Sequence, residues 1–420
     1  SVFIGFAGKQ GWGFGPSALL IGVGNALVGA LAAWAILAKR TRRMTQNLDT
    51  MTMPEFLEAR YQSEHIKMIS AVIIFIFLLP YSASIFKGLG HLFESTFHIS
   101  FDFALIILVV ITGIYLVLGG YFAVTVTSFI QGIIMLVGAV IMICVLVYKA
   151  GGLTEAITTV NINYPEHVPV AQQPNWLTIA SLIFMTSVGS WGLPQMVQKF
   201  YAIKNEKVIP KAAIITTIFA LVIGITAYGS GILSHVFFDN NTVPKMPNGG
   251  VNYDQIMPNL LAIKLPEALL AIIMLLILSA SMSSLASLVL VSASSIAVDL
   301  YKGYLKKDVN EKTSLIIMRS FSVLFIFATY LISKLQLGFI VTMQSLSWGV
   351  LSGAFLAPYV FAIYSKKVTK AAAYAGIYSG AGTAIILTMA LGAANSALAA
   401  SIAIIVPFFV VPIVSAFTPK

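Results

Sequence analysis

Long stretches without a single Asp, Glu, Lys or Arg dominate this chain: residues 16–38, 68–86, 103–148, 176–198, 212–238, 268–298, 335–365 and 371–419. A helix crosses the roughly 30 Å hydrocarbon core of a bilayer with about 20 apolar residues. Each run therefore fits a span, and the two longest hold two spans each. Gly119-Gly120 divides the run 103–148, and Gly392-Ala-Ala-Asn395 divides 371–419. Only 10% of the 420 residues are charged and 58% are hydrophobic, whereas soluble domains carry about 25% charge. A water-soluble fold of this composition could not cover its surface, so the chain reads as an all-α integral membrane protein.

The net charge of +10 would suit a nucleic-acid binder, but its placement points to membrane topology. Nineteen of the 25 lysines and arginines, every arginine among them, fall in loops that alternation puts on one side: 39–67, 199–211, 299–319, and 366–370 with Lys420. Lys9, Lys87, Lys149, Lys245, Lys264 and Lys334 belong to the other side. This bias is the positive-inside rule and puts the first set, with the C-terminus, in the cytoplasm. The expected spans are 1–10 (partial), 16–38, 67–93, 102–122, 124–148, 176–198, 211–237, 265–298, 315–334, 338–363, 371–391 and 397–416. The stretches 149–175 and 238–264, rich in Pro, Asn and Gly, read as outer loops or lids. Residues 46–66 read as a short interfacial helix. Cys144, the single cysteine, reads as inert packing. There is no CxxC, HExxH or nucleotide-binding loop, so an enzyme is not expected.

Two spans are interrupted. The opening "SVFIGFAG" looks like the second half of a helix whose first half is missing. "TSVGSWGLPQ" (186–195) holds Gly189, Gly192 and Pro194 within ten residues. Such breaks free backbone groups at membrane depth, which only protein or a wet cavity can satisfy. A pair of broken helices in matching positions of two halves marks a transporter site; ordinary Gly/Pro kinking is the plainer reading. A second anomaly is "LSASMSSLASLVLVSASS" (278–295), where eight of eighteen residues are serine. Small residues let helices pack closely in a bilayer. Yet Ala280, Ser283, Ser284 and Ser287, at i, i+3, i+4 and i+7, also share one helix face.

Five segments resemble the sodium:solute symporter family, in order along nearly the whole chain. "TMPEFLEARY" (52–61) is similar to its inner-loop signature and "PYSASIFKGLGHLFES" (80–95) to core helix 3 of the proline branch. "GGYFAVTVTSFIQG" (119–132) resembles the start of core helix 5, "WGLPQMVQKF" (191–200) core helix 6, and "SMSSLAS" (281–287) the sodium motif of core helix 8. The resemblance implies a leucine-transporter-type inverted five-helix repeat bundle in one transporter domain, with repeat 1 at about 1–148, repeat 2 at about 176–363 and extra helices at about 371–416. The N-terminal helix and half of core helix 1 would precede Ser1. It implies sodium-coupled symport of a small organic solute across the plasma membrane, an amino acid or carboxylate being favoured.

The resemblance also assigns residues. The Ala280 carbonyl and the hydroxyls of Ser283 and Ser284 would hold sodium, together with carbonyls of core helix 1 ahead of Ser1. A second sodium site of some relatives is degraded here: Ser128 stands where its aspartate would be, and Ala286 replaces one serine, leaving Ser287. One sodium per cycle is therefore expected. The solute would lie near Tyr81, Ser84, Ser187, Ser190 and Trp191, with Trp191 walling or closing the pocket. Asn25 and Gln344, polar in apolar spans, are further candidates, with interhelical hydrogen bonding as the alternative. Lys87 is out of place inside a span, at a cost of about 3 kcal/mol on insertion scales. It either snorkels outward toward Glu94, attracts a carboxylate solute, or takes a proton in place of the lost acid. The alternatives to sodium symport are a proton-coupled transporter using Lys87 and a transporter-like solute sensor. Expected partners are the solute and the lipid bilayer, with no nucleic acid, in a monomer or loose oligomer.

Overall fold

Gly15, at φ 52°, turns the chain back on itself near its start, a conformation that costs glycine nothing. In the computed structural model residues 2–305 and 310–418 are described, apart from the side chains of 2, 117–128, 304 and 311. Before the turn lies α1 (Ala7–Phe14), entered through a wide turn at Val2–Phe6. After it come α2 (Ala18–Gly24), wide turns over Asn25–Ala38, and α3 (Lys39–Leu48). The inner-loop helix α4 (Met53–Tyr61) and the long α5 (Glu64–Phe97) and α6 (Phe101–Lys149) follow. Next are α7 (Leu153–His167), α8 (Trp176–Ser187), α9 (Pro194–Tyr201), α10 (Ile209–Ile232) and the single turn α11 (Ser234–Phe237). The chain closes with α12 (Tyr253–Lys264), α13 (Glu267–Ser294), α14 (Glu311–Lys334), α15 (Ile340–Tyr364), α16 (Lys370–Leu391) and α17 (Ser396–Phe417). Among the described residues there is no strand, only an isolated bridge between Lys245 and Val251. Among the described residues nine helices are long and apolar enough to cross a membrane, ten if the bent pair ending at Tyr201 is one span. The chain is a multi-pass membrane protein.

The spans expected at 102–122 and 124–148 form one helical run, Phe101–Lys149. At 1.5 Å per residue its 49 residues would reach about 73 Å, more than twice the hydrocarbon thickness. Packing shows that it doubles back. Thr112 Oγ1 lies 3.3 Å from Met282 Sδ, and Gly138 packs on Leu276. Met282 and Leu276 are about 9 Å apart along α13, whereas Thr112 and Gly138 would be about 39 Å apart on a straight helix. The run reverses between them.

The two sets of loops meet at opposite ends. At the arginine-bearing end Arg42 Nη1 donates to the Tyr201 carbonyl (2.7 Å), Arg43 pairs with Glu206 (2.6 Å), and Arg60 Nη2 donates to the Ser365 carbonyl (2.7 Å). At the other end the Tyr164 hydroxyl donates to the Gly13 carbonyl (3.2 Å) and Gln255 Nε2 to Glu94 (3.3 Å). Helices cross where glycines face each other, Gly22 on Gly224 and Gly353 on Gly380, as close packing in lipid favours. α15 runs through the centre, enclosed for most of its length.

Three expectations need correction. Residues 53–61 are not a surface helix: Met53, Phe56 and Leu57 of α4 are fully buried, its apolar residues turned into the protein rather than toward lipid headgroups. Its start is a capping box, with Thr52 Oγ1 accepting from Glu55 N (3.2 Å) and Glu55 reaching back to Thr52 N (3.3 Å). Cys144 is exposed rather than packed. The outer stretches 149–175 and 238–264 are not mere loops, since they carry α7 and α12.

Candidate functional site

The helix interrupted at 186–195 breaks as its glycines and proline require. α8 stops at Ser187, Val188–Gly192 form a tight 3-10 turn, and Leu193 is extended (φ −75°, ψ 124°) ahead of Pro194, which opens α9. The residue before a proline disfavours the helical region, and proline suits a first helical position. The two pieces meet at 50°. Side chains take up the freed carbonyls: Ser190 Oγ donates to Ser187 O (2.7 Å) and Ser352 Oγ to Gly189 O.

Four of the expected solute residues gather here. Asn25 Oδ1 accepts from Ser187 Oγ (2.9 Å) and Thr186 Oγ1 (2.7 Å). Trp191 Nε1 donates to the Gly29 carbonyl (3.3 Å), tying the break to the chain after α2. Asn25 thus makes the interhelical bonds expected as its alternative. Ser84 is buried and donates to its own helix, at Tyr81 O (2.6 Å). Tyr81 instead stands edge-on to Trp348 of α15, with ring centroids 5.7 Å apart at 82°.

Gln344 lies one turn before Trp348 on the same face of α15. Both are buried, and Gln344 Oε1 and Trp348 Nε1 have no hydrogen-bond partner among the described residues. Buried polar atoms are rarely left so, and an acceptor and a donor i, i+4 apart on one helix are open to a partner from outside the chain. Gln195, at the start of α9, is buried with both amide atoms likewise unpartnered among the described residues. Trp348 and Gln195 were missed in the sequence, although "QSLSW" (344–348) carries the i, i+4 spacing and Gln195 lies within the broken segment.

Lys87 does not reach Glu94. Its ammonium lies 2.8 Å from Asp254 of α12 and donates to the Gly338 carbonyl at 2.8 Å. Glu94 is engaged by His91 (3.0 Å) and Gln255 instead. Lys87 is thus a paired, buried cation rather than a snorkelling one.

On α13 the serines divide by face. Ser281, Ser292 and Ser295 are buried, and Ser295 Oγ reaches across to the Ala71 carbonyl (3.2 Å). Ala280, Ser283 and Ser287 are half-buried and Ser284 is exposed. Ser284 Oγ donates to Ala280 O (3.1 Å) and Ser287 Oγ to Ser283 O (3.2 Å). Ala280 O and Ser284 Oγ are thus close enough for one ion to touch both. A face that offers neutral oxygens suits a hard monovalent cation. Ala286 is fully buried, and the side chain of Ser128 lies outside the described residues. Toward the arginine-bearing end the same helix borders a cavity of about 820 Å³, lined by Val291 and Ser294 with Arg42, Gln198, Tyr201 and Arg319.

A family model, the sodium:solute symporter family, matches residues 1–380. The chain belongs to this family. Its curated relatives include the sodium/proline symporter of Staphylococcus aureus, 29% identical over 378 residues, covering 87% of this chain and 71% of the relative. The counterpart from the bovine strain RF122 is 30% identical over 389 residues, covering 88% and 72%. Among solved structures, a Na+-coupled sialic acid symporter in a substrate-bound outward-open state superposes with TM-score 0.75 at 18% identity, over 99% of this chain and 90% of that one. The family's members are sodium-coupled transporters and not enzymes, and sodium-coupled solute symport with sodium as the coupling ion is the activity the family carries.

Proposed function

We propose that this symporter takes up a small amino acid or related carboxylate and couples it to one sodium ion held by Ala280 O, Ser283 Oγ and Ser284 Oγ. The observation that carries the solute class is the orphan pair on α15. Gln344 Oε1 can accept from a solute ammonium and Trp348 Nε1 can donate to a solute carboxylate, with Tyr81 packing on the apolar part. A sugar would call for more than one donor and one acceptor. The curated relatives named for proline, an amino acid, agree with this reading.

Repeat 1 (about 1–148) and repeat 2 (about 176–363) would form an inverted pair, with α8–α9 as the broken helix of the second repeat and α16 and α17 outside it. The arginine-bearing end would be cytoplasmic and the C-terminus inside, by the positive-inside rule. The cavity of about 820 Å³ then opens inward. Sodium is preferred to the proton as coupling ion because Lys87 is already engaged by a carboxylate and the α13 face offers only neutral oxygens. The test is competition: radiolabelled solute uptake into proteoliposomes, challenged with a panel of amino acids, monocarboxylates and sugars. Inhibition by zwitterions or carboxylates alone supports the reading; inhibition by sugars alone contradicts it.

A further inference from the structure

The pair Lys87–Asp254 joins three elements at the arginine-poor end. Lys87 is on α5, Asp254 on the loop helix α12, and Gly338 and Ile340 at the entry to α15. The two side chains are 6% and 0% exposed, so the pair is dry. It is also well satisfied: Lys87 donates to Asp254 Oδ2 and to Gly338 O, and Asp254 accepts from Ile340 N at 3.2–3.3 Å. The ring of Phe339 lies beneath the ammonium, 5.8 Å away, and Lys9 of α1 lies over the same ring at 5.7 Å.

α12 is held across α1 as well. Gly8 packs directly on the Tyr253 carbonyl, where any side chain would collide, and Gly5 packs on Ile340. Ile4 and Ile340 both press on Gly88 of α5, and Ile4 is 1% exposed. The residue next to Tyr253 is Asp254, so one short segment of α12 both covers α1 and pins itself to α5 and α15.

We propose that Lys87 and Asp254 form a latch that keeps the outer side of the transporter shut. Two buried charges attract strongly only while water is excluded. Separating α12 from α5 admits water, which solvates each charge and removes the attraction. Removing Asp254 leaves Lys87 buried without its counter-charge, and removing Lys87 leaves Asp254 only Lys9 across the Phe339 ring, which is more costly than losing the pair to solvent. Either single substitution therefore drives the segment toward the wet, open arrangement. Lys87 and Asp254 act here as positioning residues that do not touch solute. The latch goes beyond the proposed solute class and holds whatever solute is carried.

The test reads both sides of the intact transporter in membranes with a membrane-impermeant maleimide. In a Cys144→Ala background, Ile4→Cys reports the outer seam and Ser294→Cys reports the cavity at the other end. Asp254→Asn and, independently, Lys87→Met should raise the outer labelling rate by about tenfold or more, the scale on which breaking a buried pair is felt. The same variants should slow labelling of Ser294→Cys, measured on inside-out vesicles. That opposite movement separates a shift between states from misfolding, which would raise both rates. Outer labelling within twofold of the parent in both variants, or acceleration at both ends in both, overturns the latch.

Discussion

Ser284 donates its hydroxyl to the carbonyl of Ala280, one turn below it on α13, at 3.1 Å. A serine bonded back to its own helix is ordinary in an apolar span. Here the bonded oxygens lie on the less covered face of the helix, with Ser283 beside them, while Ser281, Ser292 and Ser295 point into packing. Ser283→Ala and Ser284→Ala should each raise the half-saturating sodium concentration of uptake. A contact between a charged group and a hydroxyl contributes about 1.5–3 kcal/mol, so the rise should be tenfold or more. Sodium titration of initial uptake rates measures it. Ser292→Ala, altered on the packed face, should leave the sodium dependence where it was.

Gln344→Leu should weaken solute binding without weakening the fold. It removes a polar atom that has no partner among the described residues, so no internal bond is lost, and a buried unsatisfied group is itself a cost of about 1–3 kcal/mol. The thermal unfolding midpoint in detergent should stay level or rise, while the KM for solute rises about tenfold or more. Trp348→Phe should raise the KM likewise, with a modest fall in the midpoint because buried ring volume is lost. A fall in both stability and uptake for Gln344→Leu would mark it as packing.

The sequence exposes those features that depend on near neighbours. Gly189, Gly192 and Pro194 announced the break between α8 and α9 because backbone conformation is set within a few residues. Helical spacing likewise separated Ser283 and Ser284 from Ser281. What stayed hidden depends on partners far along the chain. Asp254 read as a loop acid, and nothing local says that it meets Lys87, 167 positions earlier. Trp348 meets Tyr81 only because the fold brings α5 against α15. Residues 53–61 alternate apolar and charged groups as a surface helix would, yet the underside of the bundle covers them. Cys144 shows the converse, since a membrane exterior is as apolar as an interior and composition does not tell them apart.

Acid should loosen the outer loop helix α7. His167 Nδ1 and His235 Nδ1 are 2.8 Å apart, and Trp12 stacks on both rings, at 5.1 and 4.3 Å. One nitrogen must donate and the other accept, so the contact needs a neutral ring. Burial pushes the His167 imidazole below its ordinary value, with Asp239 and Glu166 opposing weakly. The folded value is depressed, so the contribution is complete above the ordinary histidine value of about 6.5 and is lost as pH falls through the folded value. Protection factors for amide exchange over 153–167, taken against the slower intrinsic exchange in acid, should therefore fall below about pH 6. His167→Phe, which keeps the stack and removes the titration, should flatten that dependence; an unchanged profile in this variant would place the acid response elsewhere.

One sodium per solute is expected, because Ala286 supplies no hydroxyl and Ser128 no charge at the positions that the family resemblance assigns to a second ion. Parallel uptake of ²²Na and labelled solute at saturation should give a ratio near one. Ser128→Asp should move that ratio upward only if Ala286→Ser accompanies it. A parent ratio of two would mean that oxygens elsewhere on α6 or α13 complete a second site.

The most direct test of the account is uptake of a labelled amino acid into proteoliposomes holding only this protein, with the two driving gradients imposed one at a time. An inward sodium gradient should drive accumulation above equilibrium, and Ser283→Ala with Ser284→Ala should abolish that accumulation at low sodium. A proton gradient in sodium-free buffer should drive none. Accumulation on a proton gradient alone, or sodium-driven accumulation untouched by the double substitution, would contradict the assignment of the α13 face as the coupling site.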